Sequence, residues 1–159
     1  MKFALIGTGS FGLKRASAVK NSKNGELIKV FDTNSDNLDK AANLLEVSKA
    51  NNLEEIFKDK NIETICICTP NKFHKDLILE ALDNGKNIFC EKPLATSLEE
   101  ANVIFEHSKN LNNKVQIGSN HRFFESVKFA KKLVDNNEIG KILSFNGRIG
   151  HNGERIQNS

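Results

Sequence analysis

Through the first 118 residues, short apolar runs alternate with longer stretches in which apolar residues recur at helical spacing. Period-2 and continuous apolar runs predict strands over 2–6, 26–31, 47–50, 63–68, 87–90 and 114–118. The 3.6-residue pattern predicts helices over 11–22, 35–45, 53–58, 74–84 and 98–110. Strands alternating with helices are the signature of βαβ units, and the fold class this predicts is α/β, a doubly wound parallel sheet. Ser97-Leu98-Glu99-Glu100 forms a capping box at the start of the last of these helices, where Leu98, Ala101, Phe105, Ser108 and Leu111 recur as its expected buried face. Asn84-Gly85 and Asn112-Asn113 supply left-handed-tolerant residues at helix ends.

The pattern changes after Gly118. A helix is predicted over 122–136 with Phe124, Val127, Ala130 (or the stem of Lys131) and Val134 on its buried side. A strand is predicted over 141–149, in which Leu143, Phe145 and Ile149 alternate with Ser144, Asn146 and Arg148. The polar tail 150–159 offers that face nothing to pack against. The domain reading is therefore a first domain over 1–119 and, over 120–159, the start of an incomplete second α/β domain.

The first predicted strand runs directly into Gly7-Thr8-Gly9-Ser10-Phe11-Gly12 and then a helix. In a G-x-G-x-x-G turn the first glycine permits the tight turn, the second lets a phosphate approach the backbone, and the third lets the helix lie close to the strand. The pattern alone also fits a glycine-rich turn at the end of any first strand. Asp32 strengthens the nucleotide reading, because it closes the second strand 20 residues beyond Gly12, the spacing at which a carboxylate reaches both hydroxyls of an adenosine ribose. Such a carboxylate repels a 2′-phosphate, which favours NAD over NADP, although Thr33 and Asn34 are compatible with either. The alternative role for Asp32 is a helix N-cap.

Composition narrows the class. At 159 residues with 38 % apolar content, the chain holds one well-buried domain and part of another. A net charge of +3 with both signs interspersed, and no tyrosine or tryptophan to stack bases, argues against nucleic acid as a partner. Three cysteines without metal or C-x-x-C spacing point to a reducing, cytoplasmic setting, with Cys66 and Cys68 acting as small hydrophobes on one strand face. The four-residue apolar run before the glycine turn is too short for a signal peptide or a membrane span.

Two further loops follow strands. One is Thr69-Pro70-Asn71-Lys72-Phe73-His74, the other Glu91-Lys92-Pro93-Leu94. In a doubly wound sheet they share an edge with the glycine turn, where ligands bind. Read by residue type alone, Glu91 and Lys92 also fit a solvated ion pair, and His74 a partly exposed residue in a first helical turn.

The glycine turn, Asp32, Thr69-Pro70-Asn71 with His74, Ala81-Leu82-Asp83-Asn84-Gly85-Lys86 leading to Glu91-Lys92-Pro93-Leu94-Ala95, and Asn120-His121-Arg122-Phe123 occur in the order of the glucose-fructose oxidoreductase, inositol dehydrogenase and MocA (Gfo/Idh/MocA) family, which the chain resembles to about Gly147. The resemblance implies a Rossmann-type domain and an NAD(P)-dependent oxidoreductase, or dehydrogenase, that moves a hydride between nicotinamide and a hydroxyl of a sugar, sugar nucleotide or polyol. It implies that Gly7, Thr8, Gly9, Ser10, Phe11 and Gly12 bind the pyrophosphate and Asp32 the adenine ribose. Thr69, Pro70, Asn71 and His74 would line the nicotinamide-ribose side, with Glu91 and Lys92 at the nicotinamide. Lys92 corresponds to the family's active-site lysine, and a cis peptide before Pro93 follows by the same analogy. The family's second domain, which supplies a further Asp and His, has no counterpart here, and none of His107, His121 and His151 matches that His. The expectation is the cofactor half of a dehydrogenase whose remaining domain lies on a longer or separate chain. The alternatives are an NAD-binding module without catalysis and, less compatible with Glu91-Lys92-Pro93, a methyltransferase.

Overall fold

Five apolar runs and one short polar segment, β3, form six parallel strands: β1 (Lys2–Ile6), β2 (Glu26–Phe31), β3 (Ser48–Lys49), β4 (Thr64–Ile67), β5 (Asn87–Cys90) and β6 (Val115–Ile117). Their order across the sheet is β3-β2-β1-β4-β5-β6, every neighbouring pair parallel. Five helices connect them: α1 (Ser10–Lys20), α2 (Ser35–Leu45), α3 (Glu54–Phe57), α4 (His74–Asp83) and α5 (Leu98–Ser108). This computed structural model describes residues 1–148. Contacts group the chain into two units, one of Met1–Ser119 and one beginning at Asn120.

Alternation along the strands sorts side chains to two faces. Ala4, Ile6, Ile65, Ile67, Ile88 and Cys90 pack with Ile56, Leu77, Ile78, Ala81, Leu82 and Ile104 on one side. Leu5, Leu27, Val30 and Cys66 pack with Ala16, Ala41, Ala42 and Leu45 on the other, joined by the partly buried Cys68 and Phe89. Each fully buried aliphatic side chain contributes about 1.5–3 kcal/mol, so the central strands hold both layers together. Because the chain winds outward from β1 to β3 and then returns beside β1 as β4, the strand order reverses between β1 and β4. A crevice opens at such a point beyond the strand ends.

Three expectations change. On α5 the buried residue is Ile104, while Leu98 is 71 % and Phe105 61 % exposed. The helix rests on α4 along a narrow stripe, and the apolar residues on its other side face solvent. In the second unit a 3-10 turn (Asn120–Phe123) leads into α6 (Glu125–Asp135), and Phe124, Val127 and Val134 are exposed, with Leu133 the half-buried residue of the helix. Residues 141–148 form no strand, and Leu143 and Phe145 are 89 % and 91 % exposed. Alternation encodes a strand only where a neighbour supplies hydrogen bonds and an apolar surface, and no described residue does so there. Ile149, His151 and the rest of the tail lie outside the described residues. Among the described residues, no helix is long and apolar enough to cross a membrane.

Candidate functional site

Parallel strands bring their carboxyl ends to one edge. Ile6 lies opposite Phe31 and Ile67, Ile67 opposite Cys90, and Cys90 opposite Ile117, so the loops that follow start at one level. The glycine turn, Asp32, the Thr69–Asn71 loop and the Glu91–Lys92 loop share that edge.

The glycines divide their work as the pattern requires. Gly7 has φ 91°, and a Cβ there would lie 2.7 Å from the backbone of Cys68. At Gly12 a Cβ would lie 2.0 Å from the Gly7 carbonyl oxygen. Both positions therefore pack backbone on backbone. Gly9 differs, because nothing lies within 4 Å of its Cβ position. It is also the N-cap of α1, which starts without a side-chain cap and without an acidic residue in its first turn. The positive end of the helix dipole thus faces open space, beside the exposed Ser10 and Phe11.

Asp32 is not the N-cap of α2. That role belongs to Asn34, whose side chain accepts from the Asn37 amide at 2.9 Å. The Asp32 carboxylate accepts three protein hydrogen bonds: Oδ2 from the Thr8 amide at 2.7 Å and the Thr8 hydroxyl at 2.8 Å, and Oδ1 from the Asn34 amide at 2.9 Å. Thr8 is buried, so it meets Asp32 and not the open space above Gly9. Lys29, a basic neighbour on β2, is bound to Asp59 at 3.0 Å.

In the loop after β4, Pro70 and Asn71 are exposed and the Thr69 hydroxyl is buried without a hydrogen-bond partner. His74 is 1 % exposed. Its Nε2 lies 2.9 Å from the Thr69 carbonyl oxygen and its Nδ1 2.8 Å from that of Pro93. The ring therefore sits between this loop and the next, with each nitrogen against a backbone carbonyl. The bond between Lys92 and Pro93 is cis.

Glu91 and Lys92 diverge. Lys92 is exposed on the ligand edge. Glu91 is buried: its carboxylate is hydrogen-bonded by the Arg15 Nε of α1, accepts from the Lys92 amide at 3.3 Å, and lies where a Cβ on Gly118 would approach to 3.0 Å. The Arg15 guanidinium sits 5.4 Å from the Phe89 ring centroid. Glu91 thus anchors its loop to α1 through a buried carboxylate. Arg15 went unread in the sequence because its partner lies 76 positions away and no local motif joins them. Burial pushes the Cys66 and Cys90 thiols up to about 12 and raises Cys68 as well, with Glu91 adding to each shift and Arg15 opposing it at Cys66 and Cys68. None of the three is an activated nucleophile.

An open cradle over a helix N-terminus, with a carboxylate at the end of β2 on the same edge, is the geometry of a dinucleotide site. Residues 1–119 match the family model described as an oxidoreductase family with an NAD-binding Rossmann fold. The chain belongs to the Gfo/Idh/MocA family. Among Gfo/Idh/MocA-like relatives, it is 34 % identical over 144 residues to glucose-6-phosphate 3-dehydrogenase of Bacillus subtilis, covering 91 % of this chain and 41 % of that protein. It is 41 % identical over 83 residues to scyllo-inositol 2-dehydrogenase (NAD(+)) of the same organism, covering 52 % and 24 %. Its fold matches the crystal structure of scyllo-inositol dehydrogenase from Lactobacillus casei with bound NAD(H) and scyllo-inositol, with a TM-score of 0.82 at 28 % identity over 89 % of this chain and 43 % of that one. The chain spans about two fifths of the length of the relatives it matches over most of its own length.

Proposed function

We propose that this chain is the cofactor-binding half of an NAD-dependent dehydrogenase acting on a hydroxyl of a sugar, sugar nucleotide or polyol, with residues 1–119 holding the cofactor and residues from 120 beginning the substrate-reading domain. The observation that carries the reading is the unfilled space over Gly9 at the uncapped start of α1. It accommodates a pyrophosphate, and the turn around it is held by Gly7 and Gly12. Asp32, at the end of β2, faces the adenine ribose and disfavours a 2′-phosphate, which makes NAD the preferred cofactor. Lys92 serves the other end.

Bound NAD supplies the hydride acceptor or donor. The chain's own contribution is orientation and charge. During oxidation of a secondary alcohol, negative charge grows on the oxygen as its proton leaves, and an ammonium group at Lys92 stabilises that charge. Thr69, Pro70 and Asn71 line the span between the glycine turn and Lys92. His74 and Glu91 hold the two loops in place without touching the ligand. The relatives' names, which include dehydrogenases of a hexose phosphate and of inositol, support the substrate class.

The test is titration with NADH followed by nicotinamide fluorescence, which a chain without tryptophan or tyrosine does not obscure. Gly9→Ala places a methyl where the structure has room, so its thermal midpoint matches wild type while NADH affinity falls more than about tenfold, because the methyl occupies the phosphate's place. Lys92→Ala retains NADH binding. Wild-type protein that ignores NADH, or Gly9→Ala that binds it normally, refutes the reading.

A further inference from the structure

The sequence suggests an Asp32 free to receive both ribose hydroxyls, and the structure shows one largely spoken for. A carboxylate offers about four acceptor positions. Three are occupied, two on Oδ2 by the amide and hydroxyl of Thr8 and one on Oδ1 by the amide of Asn34. One position remains, on Oδ1. Thr8 is only 2 % exposed, so its hydroxyl has no role toward solvent or a phosphate. Its geometry serves to fix the plane of a half-buried carboxylate 24 positions away.

We propose that Thr8 is a specificity-determining positioning residue: by holding Oδ2 of Asp32 with two hydrogen bonds, it leaves one acceptor on Oδ1 for a single ribose hydroxyl and prevents the carboxylate from turning away from a 2′-phosphate. The proposal rests on the cofactor reading above and adds a cause for the preference. A freely rotating Asp32 could swing aside to relieve repulsion from the phosphate of NADP. A clamped one cannot, so the repulsion is felt in full. The clamp also keeps the remaining acceptor aimed at the hydroxyl, and a hydrogen bond to a charged group is among the stronger ones available at such a site.

The experiment measures the ratio of NADH to NADPH affinity for the 159-residue chain by nicotinamide fluorescence. Thr8→Val keeps the buried shape and removes the hydroxyl. The expected result is a ratio narrowed about tenfold, the size of one charge-assisted hydrogen bond lost, through weaker NADH binding and unchanged or stronger NADPH binding. Thr8→Ser restores the wild-type ratio. In an Asp32→Ala background Thr8→Val changes nothing further, because its effect passes through the carboxylate. Should Thr8→Val fold poorly, Thr8→Ala replaces it, with retained NADPH affinity as the sign of an intact site. If wild type binds NADH but Thr8→Val leaves the ratio unchanged, or shifts it equally without Asp32, the proposal falls and the cofactor reading stands. If wild type binds neither dinucleotide, both fall.

Discussion

The three thiols make a quantitative prediction about alkaline stability. In the unfolded chain each loses its proton near the ordinary value of 9.0, whereas in the folded protein Cys66 and Cys90 hold theirs up to about 12 and Cys68 is also raised. The fold favours the neutral form, so the full contribution of burial is present below pH 9 and is lost as pH rises toward the folded values. Within that window each thiol lowers the unfolding free energy by about 1.4 kcal/mol per pH unit, and the three together by about 4 kcal/mol per unit. Against a typical total of roughly 5–15 kcal/mol, a protein at the lower end of that range is expected to unfold within about two units above pH 9. The assay is urea denaturation followed by far-ultraviolet circular dichroism between pH 7.5 and 10.5. No tyrosine titrates in this range, and lysines are common to every variant. Cys66→Ala lowers stability at neutral pH through lost packing, yet its decline above pH 9 is shallower by about 1.4 kcal/mol per unit, and Cys66→Ala with Cys90→Ala is shallower by about twice that. Parallel curves for all three proteins would refute the reasoning, because they would mean the thiols ionise alike in both states.

Two further outcomes follow from close contacts. His74→Phe removes the ring nitrogens that face the Thr69 and Pro93 carbonyls in a buried position, at a cost of about 2–4 kcal/mol, read by calorimetry as a fall of roughly 5–15 °C in the thermal midpoint; a midpoint within about 1 °C of wild type contradicts it. Gly12→Ala must displace the Gly7 carbonyl, which stands 2.0 Å from the new methyl, so it loses about 3 kcal/mol or more together with NADH binding, unlike Gly9→Ala; equal midpoints for the two alanine variants would contradict the contrast.

Local patterns in the sequence carried the frame. The glycine turn and the apolar runs of β1, β2, β4, β5 and β6 were legible to within a residue or two, because a buried parallel strand must be apolar on both faces and is bounded by turn residues. What escaped depended on contacts between distant segments. The face of α5 is one example: both the stripe through Leu98 and Phe105 and the one through Ile104 have helical spacing, and packing against α4 decides between them. The strand expected over 141–149 is another, since residues 141–148 have the alternation without a neighbour. At the site, residue type could not show that Thr8 turns toward Asp32, that His74 is buried against two backbone carbonyls, or that Glu91 belongs to Arg15. Each of those is a polar group whose partner was chosen by the fold.

The Arg15–Glu91 contact has a consequence for reach. Arg15 lies six residues beyond Gly9 along α1, roughly 9 Å of helical rise, and it grips the residue immediately before Lys92. Helix rise is nearly incompressible, so α1 acts as a gauge rod: it sets the separation between the turn at Gly9 and the backbone of Lys92, and a cofactor held at both, as proposed, has to match that length.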